Sequence, residues 1–600
     1  MTDYTKIEQQ VDNVADLIWD LASQVWKYAE LGMEELQSSA YAAGLLEKHG
    51  FQISDRGIGG LDTSWIATWG KGGPTLGILV EFDALPGLGN DTQPTKTPAK
   101  SGNTNGHGCG HNLICSTSIG AAIALKNHME KENIPGTLRV FGCPAEEKCT
   151  GKNYMAQAGA FQGLDACLHN HPLPVNSVWN FHSTALMDLM VEWNGTAAHA
   201  AATPWMGRNA LHALEIFLMS ANMMREQMLP TARLHYQVLE GGVAVNVIPD
   251  YAKVLIRYRG PSAENVLKYK DWLVDMAKGA ALATQTHEKV TVFTGTHDVV
   301  GNDPLAKNVY GHLQRHFPIE WTDEEQAYAK SIQKEMGIPE IGMADNIQPM
   351  PTADVEVGGS SDVGDVSWNV PTMGVVYSAW PQGIAPHQWG CTACHGMSIG
   401  RRATLHAAKV LAATGLDILI EPDLLKAIRD EFNKQKAGTE YKSLCDSKTN
   451  PQGNLSDPDI KHYECCIHAA EEHYGRKDDG RIVADEYLTF PMVLLGVPWR
   501  EDLWLETADP AQEFSFTACT AGTIADADTD AAGLTQWASP LAASGASREL
   551  TFVMINGAAL TSSPGLELHH NSPDINADGV VNLSDIPLFA SDFFGDLDPF

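Results

Sequence analysis

The sequence predicts an α/β fold in which helices flank a mixed sheet, with a smaller α+β domain inserted into it. Short apolar runs that suit buried strands, such as residues 75–82, alternate with segments whose apolar residues recur at helical spacing. From about residue 183 this alternation gives way to a strand, a helix, two strands and a helix. A chain of 600 residues is also too long for one hydrophobic core, so several domains are expected.

The elements follow in order from the N-terminus. Residues 5–48 carry apolar side chains at helical spacing, beginning with Ile7, Val11 and Val14. The strand at 75–82 is followed by a polar loop that is long enough to have a function of its own. The other predictions are a helix to about Lys131, a strand at 137–142, helices at 303–315 and 322–336, a strand at 371–377, and helices from Ser398 and at 424–436. In the inserted segment they are a strand at 185–193, a helix at 206–228, strands at 234–239 and 251–259, and a helix at 262–283.

The composition is that of a soluble globular protein with an acidic C-terminal part. Hydrophobic residues make up 44% of the chain and charged residues 19%. No apolar run is expected to span a membrane, and the N-terminus has no recognisable secretion signal, which favours a cytoplasmic location. The net charge is −33, and residues 446–600 hold 7 basic against 26 acidic residues. Nucleic-acid binding is disfavoured, because phosphate contacts need clustered Lys and Arg.

Two short motifs carry the chemistry. Gly106–Asn112 reads GHGCGHN, in which Cys109 and His111 are alternate residues that can face one centre. About 35 residues later the adjacent carboxylates of Glu146 and Glu147 must diverge, so that one can bind a metal while the other reaches a water. Either motif alone could be a buried thiol with satisfied histidines or a solvated glutamate pair. Both together predict metal-assisted hydrolysis.

Seven motifs in order carry a family resemblance. The chain resembles the two-metal amidohydrolases and carboxypeptidases of clan MH, which include hippurate, N-acyl-amino-acid and indole-acetyl-amino-acid hydrolases. Within that clan it is most similar to the p-aminobenzoyl-glutamate hydrolase type, over roughly residues 5–445. The motifs are EFDALP (81–86), GHGCGHN (106–112), CPAEE (143–147), GTAAHAA (195–201), GGVAVNVIPD (241–250), GGSSDVGDVSW (358–368) and PHQW (386–389).

The resemblance implies a binding site for two divalent ions, either manganese or zinc. Thiolate and imidazole ligands favour zinc, the softer of the two ions, whereas a carboxylate ligand binds either ion. The Cys109 thiolate would bridge the two ions, and His171 suits a ligand better than His169 does. The implied ligands are Cys109, His111, Glu147, His171 and His387.

The resemblance also implies roles for residues that bind no metal. Glu146 would be the general base, and His199 of the inserted domain would help to hold the oxyanion across a dimer interface. Asn246 and Arg259 would recognise the carboxylate of the substrate, for which the planar fork of arginine is suited. Asp83 would orient a neighbouring group rather than bind metal, because Glu81 stands two residues before it in place of a histidine.

These expectations combine into a metal-dependent amidohydrolase that cleaves N-acyl or N-aroyl amino acids similar to p-aminobenzoyl-glutamate. The alternatives are a dipeptidase or carboxypeptidase of the same family, and a non-catalytic surface protein with a calcium-binding tail. A homodimer through the inserted domain is expected. The expected domains are a metal-binding catalytic domain (1–182 and 300–445), an inserted dimerisation or lid domain (183–299), a linker region (446–504), a small β-sandwich-like module (505–570) and a dockerin-like calcium loop (571–600).

The C-terminal loop DINADGVVNLSD has the ligand spacing of a calcium site, with Gly579 at its sixth position. It resembles a dockerin repeat, but the chain has one such repeat where a dockerin has two, so a cohesin-like partner stays an open alternative. The expected ligands are Asp574, Asn576, Asp578, Val580, Asn582 and Asp585.

Two cysteine motifs receive structural interpretations. Residues 391–395 match C-x-x-C-H, the pattern of haem attachment, but lie inside the segment of the resemblance, so packed thiols are favoured over haem. Residues 462–473, HYECCIHAAEEH, match no zinc spacing and are expected to form an ordinary helix.

Overall fold

A computed structural model describes residues 3–445, except 149, 317, 352–355 and 358, with the backbone alone at 356–357. Beyond residue 445 it describes only the backbone of six short strands. The chain divides into two compact units, Met1–Asn454 and Leu455–Phe600. The predicted calcium loop and the cysteine-containing segment 462–473 lie outside the described residues.

The first unit is built from thirteen described helices and thirteen described strands. The helices are α1 (Thr5–Asp12), α2 (Ala15–Tyr28), α3 (Leu36–Lys48), α4 (His111–Glu132), α5 (Gly151–Gln157), α6 (Ala210–Met224), α7 (Ala263–Thr284), α8 (Asp303–Arg315), α9 (Asp323–Glu335), α10 (Val363–Ser367), α11 (Trp389–His395), α12 (Ser398–Ile420) and α13 (Pro422–Lys436). The strands are β1 (Gln52–Arg56), β2 (Trp65–Lys71), β3 (Thr75–Glu81), β4 (Gly136–Cys143), β5 (Ala166–Leu173), β6 (Ser177–Val178), β7 (His182–Ser183), β8 (Ala185–Asn194), β9 (Arg233–Glu240), β10 (Tyr251–Gly260), β11 (His287–Thr296), β12 (Glu356–Val357) and β13 (Thr372–Ser378).

A seven-stranded mixed sheet forms the centre of the first unit, in the order β1-β2-β4-β3-β5-β13-β6. Its middle strands β4, β3, β5 and β13 are parallel, and the outer pairings are antiparallel. In the parallel register Glu81 at the end of β3 stands beside Cys143 at the end of β4. The carboxyl ends of the parallel strands therefore meet at one edge, where α/β sheets hold their ligands.

Helices α4 and α12 pack against each other and against the sheet, and both are largely buried. Helix α4 begins directly after Gly110, whose φ of +86° suits glycine, and a Cβ there would lie 2.6 Å from Pro172. By length and composition α12 could cross a membrane, contrary to the expectation that no run is apolar enough. However, 78% of its apolar window is buried inside the fold, which is typical of a core helix.

The inserted part of the first unit is a four-stranded antiparallel sheet, in the order β11-β8-β10-β9, on which α6 and α7 pack. Its core is separate from that of the main sheet and includes Trp193, Phe217 and Tyr258. Strand β9 forms one edge of the sheet, and most of its side chains are exposed. The inserted part therefore presents an open strand edge.

The predicted α/β class, with its mixed sheet flanked by helices, is confirmed, and most predicted elements lie within two residues of observed ones. The helix expected at 206–228 is shorter, because Asn209 caps α6 by accepting from the amides of Leu211 and His212. Strands β1, β2, β5 and β11 were not predicted.

In the second unit the described backbone forms a two-stranded and a four-stranded sheet. The β-sandwich expected at 505–570 stays a prediction. The strands are β14 (Leu503–Glu506), β15 (Phe514–Phe516), β16 (Thr523–Ile524), β17 (Leu534–Trp537), β18 (Val553–Ile555) and β19 (Ala558–Ala559).

Candidate metal centre

Five predicted ligands from four distant segments come together beyond the carboxyl ends of β3, β4 and β5. Two groups of ligand atoms share the Cys109 sulfur, and within each group all atoms lie within 4.8 Å of one another. One group adds His111 and His171, and the other adds Glu147 and His387. The Cys109 Sγ lies 3.5 Å from Nε2 of His171, and the His387 Nε2 lies 3.5 Å from Oε2 of Glu147. A thiol shared by two ligand groups is the arrangement that a bridging thiolate needs.

Backbone and side-chain contacts orient the imidazoles. The Nδ1 of His111 lies 2.9 Å from Oδ1 of Asp83, and that of His171 lies 2.7 Å from the Pro172 carbonyl oxygen. In the neutral ring, with Nδ1–H donating to these oxygens, Nε2 is the nitrogen that would bind a metal. The His387 amide donates to the Gly108 carbonyl oxygen at 3.2 Å and thereby joins two motifs of the site. Asp83 thus contacts the candidate ligand His111, which is the contact expected of a residue that orients its neighbour.

The two glutamates diverge from the turn that follows β4. Glu147 Oε1 and Glu146 Oε2 each lie 3.8 Å from Nε2 of His111, whereas Oε1 of Glu146 accepts a hydrogen bond from Ser361 Oγ at 2.8 Å. The Glu147 amide donates to Oδ2 of Asp83 at 2.9 Å. Glu147 therefore lies between two imidazoles, while one oxygen of Glu146 is held away from them by a hydroxyl.

The cluster has more buried negative charge than its own cations balance. Burial, together with neighbouring carboxylates, raises the pKa of Glu146 to about 7 and that of Glu147 to about 7. Burial also raises the pKa of the Cys109 thiol, and it lowers the pKa of His171 to about 4, so this imidazole is neutral. Against the effect of burial, Cys109 and Asp83 hold the pKa of His111 well above its usual value. A divalent cation would stabilise the charged form of both glutamates and of the thiol.

The donor set fits such a cation on structural grounds. Nε2 of His111 and Oε1 of Glu147 are buried, and neither has a hydrogen-bond partner among the residues that the structure describes. Buried polar atoms without partners are rare, because each costs the free energy of desolvation. Sulfur, imidazole and carboxylate donors together suit zinc and also accommodate manganese.

Four residues that were not predicted from the sequence contribute to the site: Glu81, Lys152, Ser361 and Asp362. Glu81, His111 and Glu146 form a third group of candidate ligands. Oε1 of Glu81 lies 2.7 Å from Nζ of Lys152, which also lies 2.5 Å from Oδ1 of Asp362. Burial alone would lower the pKa of Lys152, but Asp362 and Glu81 hold it well above the usual value. Lys152 is therefore a buried cation beside the cluster.

Sequence signals for these residues are weak. Glu81 lies at the end of an apolar strand, and its only distinguishing feature is that it occupies a position where the resemblance leads us to expect a histidine. Ser361 and Asp362 lie in the motif GGSSDVGDVSW, but the spacing of its residues assigns neither of them a role. Lys152 follows the glutamate pair in a polar stretch, where a solvated side chain would be the ordinary expectation.

Of the three predicted residues of the inserted domain, Arg259 lies near the cluster, and His199 and Asn246 are not bonded to it within the described part of the chain. His199 and Asn246 are exposed on adjoining loops, joined by the Ala200 amide, which donates to the Asn246 carbonyl oxygen at 2.9 Å. In the described part of the chain, no hydrogen bond or ion pair joins either side chain to the cluster. Arg259 on β10 donates a hydrogen bond to Ser360 Oγ at 2.6 Å. Ser360 directly precedes Ser361, the serine that contacts Glu146.

The remaining histidines and cysteines of the motifs have structural partners. His107 is buried with its Nε2 2.9 Å from the Val25 carbonyl oxygen, and His169 is buried against Trp179. Cys391 and Cys394 are buried in α11, as the interpretation of packed thiols expects. Their neighbour His395 is also buried, with Nδ1 2.7 Å from the His107 carbonyl oxygen.

The chain is similar to known proteins in sequence and in fold. The family described as the peptidase dimerisation domain matches residues 182–284. A p-aminobenzoyl-glutamate hydrolase subunit of Escherichia coli strain K12 is 32% identical over 461 residues, covering 72% of this chain and 95% of that protein. The Xaa-Arg dipeptidase of Mus musculus is 30% identical over 438 residues, covering 71% and 90%. A solved structure of a proposed aminohydrolase from methicillin-resistant Staphylococcus aureus covers 70% of this chain and 100% of that chain, with a TM-score of 0.52 and 18% identity.

Proposed function

Because the chain belongs to the M20 family of metal-dependent amidohydrolases and peptidases, we propose that it hydrolyses N-acyl or N-aroyl amino acids at their amide bond. The observation that carries this proposal is the cluster in which two ligand groups share the Cys109 sulfur. The first substrate class that we propose is the N-aroyl amino acids, because the name of one relative is p-aminobenzoyl-glutamate hydrolase.

We propose a role for each residue of the cluster, and the contacts described above support these roles. Cys109, His111, Glu147, His171 and His387 would hold two divalent ions, of manganese or zinc. When bound, such ions polarise the scissile carbonyl and lower the pKa of a water. Glu146 would take the proton of the attacking water at its carboxylate and deliver it to the leaving nitrogen. Ser361 would keep one oxygen of Glu146 engaged, so that the other faces the substrate.

Residues of the inserted domain would complete the site. His199 would donate a hydrogen bond to the oxyanion, and Asn246 and Arg259 would bind the substrate carboxylate. His199 and Asn246 are exposed on adjoining loops of the inserted domain, a position from which we propose that they reach the site of a second copy. Arg259 lies beside Ser360, which supports a place for it at the rim of the cluster.

We also propose that the chain forms a homodimer through the inserted domain. Helix α6 exposes Ile216, Met219 and Met223 along one face, by 37%, 60% and 63%. The neighbouring edge strand β9 exposes Tyr236 and Val238, and its outer backbone groups have no strand beside them within the described sheet. An apolar helix face beside an open strand edge suits pairing with a second copy.

The main proposal is tested by the substitution Glu146→Gln. It keeps the shape of the side chain and removes the proton acceptor, so kcat should fall at least about 100-fold. Metal content, measured by elemental analysis, should stay at the wild-type value, because Glu146 is not among the proposed ligands. The exposed Glu340→Gln is the control and should keep full activity. Full turnover by Glu146→Gln would remove Glu146 as the base.

A second candidate is a dipeptidase, favoured by the similarity to Xaa-Arg dipeptidase. A panel of p-aminobenzoyl-glutamate, N-acetyl amino acids and dipeptides with C-terminal arginine separates the two. Higher kcat/KM for the dipeptides would replace the first candidate with the second. Turnover of none of them, by protein with its metal bound, would favour the non-catalytic alternative.

For the C-terminal loop we propose calcium binding through the oxygens of Asp574, Asn576, Asp578, Asn582 and Asp585 and the carbonyl of Val580. The support is the ligand spacing of the sequence. A cohesin-like partner would be consistent with this loop only if a single repeat is enough for docking.

A further inference from the structure

Glu35 connects the N-terminal helices to the turn that carries the two glutamates. Its side chain is completely buried. Oε1 of Glu35 accepts a hydrogen bond from the Ala145 amide at 2.8 Å, and Oε2 accepts one from Oγ1 of Thr63 at 3.0 Å. Glu35 is the N-cap residue of α3, yet its side chain makes no capping bond to that helix. The carboxylate serves the turn after β4 instead of its own helix.

The residue that Glu35 contacts has an unusual backbone conformation. Ala145 has φ of +57°, in the left-handed region that is costly for a residue with a Cβ. Gly32 packs directly against it, since a Cβ at Gly32 would lie 3.0 Å from the Ala145 Cα. The Glu147 amide, two residues further on, is held by Asp83. The buried carboxyl groups of Glu35 and Asp83 therefore hold the amides on either side of Glu146.

We infer that Glu35 is a positioning residue, which holds Ala145 in the left-handed conformation and so directs Glu146 and Glu147 into the metal cluster. This inference rests on the proposed function for the roles of those two glutamates. Glu35 is not among the grouped ligand atoms of the cluster and acts only through the backbone of the turn. If Ala145 relaxed to negative φ, the two carboxylates would point in new directions.

The first test measures metal affinity in the full chain, by competition for Zn²⁺ or Mn²⁺ with a chromophoric chelator. Glu35→Ala should weaken binding about 10- to 100-fold, the usual effect of losing a residue that orients a ligand. Glu35→Gln keeps an oxygen acceptor for the Ala145 amide and should lose less. Wild-type affinity in Glu35→Ala would overturn the inference.

The second test asks whether Glu35 acts through Ala145. Glycine adopts positive φ without strain, so in the background Ala145→Gly the loss caused by Glu35→Ala should be about five- to thirty-fold smaller. An equal loss in both backgrounds would show that Glu35 does not act through this residue. The rescue keeps the test informative even if Glu35→Ala is less stable, because a general loss of stability would not depend on residue 145.

Glu325 provides a matched control. It is another buried glutamate, and its carboxylate accepts from the Thr322 amide at 2.9 Å to cap α9. Glu325→Ala should lower stability and leave metal affinity unchanged, and a weakened affinity would indicate that any buried carboxylate has the same effect. Metal affinity does not depend on turnover, so wild-type protein that binds metal but cleaves no amide would overturn the proposed function alone.

Discussion

At the scale of single residues, the site depends on how buried charges are paired. Glu81 and Asp362 share the ammonium group of Lys152, and Asp83 is paired with His111. Burial, together with neighbouring carboxylates, raises the pKa of Glu146 and that of Glu147 to about 7. Glu81, Asp362 and Asp83, whose charges are paired within the protein, thus surround Glu146 and Glu147, which are left to interact with a metal.

Loss of Lys152 should therefore destabilise the fold. Lys152→Met leaves two buried carboxylates without their cation, and the free energy of unfolding should fall by about 3–5 kcal/mol in urea denaturation. Adding Asp362→Asn should recover part of that loss, because the two substitutions remove a pair. Lys126→Met is the control: its partner Glu130 is exposed, so it should cost at most about 1 kcal/mol. Equal losses in the two lysine variants would contradict this assignment.

At the scale of elements, strands with a continuous apolar pattern were predictable, whereas β5, which carries the candidate ligand His171, was not. β3 and β13 are buried on both faces and show as continuous apolar runs. β5 carries His169, Asn170, His171 and Pro172, a composition that does not indicate a strand, although it delivers a ligand. A strand that carries polar side chains for the chemistry of the site loses the apolar pattern by which a strand is predicted.

The same contrast holds for the candidate site. The candidate ligands in GHGCGHN and PAEE could be proposed from the sequence, because their chemistry is concentrated in short motifs, and the structure brings them together. Lys152 meets Asp362 across 210 residues, and Glu35 meets Ala145 across 110. Such pairs are set by the fold, so a single sequence carries no sign of them.

Helix α6 should determine the oligomeric state. The paired substitution Met219→Lys and Met223→Lys places two charges on its exposed apolar face, and the desolvation of both would oppose dimer formation. Light scattering should show a monomer where the wild type is a dimer, with kcat reduced because His199 would no longer reach a second copy. Leu36→Lys, on a residue of α3 that is 66% exposed, should keep the dimer. A dimeric double variant would place the interface elsewhere.

Helix α12 should make the protein sensitive to acid. His406 lies with its ring centre 5.9 Å from that of His316, and Glu8 is 3.3 Å from the His316 Nε2. Burial, aided by His316, lowers the pKa of His406 to about 3, and burial with Arg315 lowers that of His316 to about 4. Unfolded histidine takes up its proton near pH 6.5, so stability present above that pH is lost as the pH falls toward 3–4.

His406→Leu should reduce this sensitivity. Between pH 7 and pH 5 the wild type should lose about 1–2 kcal/mol more unfolding free energy than the variant, measured by urea denaturation at both values. The exposed His287→Leu should leave the pH dependence unchanged. Parallel losses in wild type and His406→Leu would show that His406 is not the responsible group.

At the scale of the whole molecule, the chemistry and the acidic C-terminal part lie in different units. Every residue of the cluster belongs to Met1–Asn454. A chain ending at residue 454 should keep the kcat and metal content of the full chain. It should lose calcium binding, measured by isothermal titration calorimetry, if the loop at 574–585 is the calcium site. A large fall in kcat on truncation would show that the second unit contributes to turnover.

The buried sulfur of Cys109 has a consequence for how such a protein responds to oxidants. A carboxylate or imidazole ligand survives peroxide, whereas a thiolate is converted stepwise to sulfenic and sulfinic acid. Because both ligand groups include this one atom, a single oxidation would disable both at once. Its burial, at 6% exposure, slows the approach of reagents, so the cluster combines a redox-sensitive atom with a shielded position.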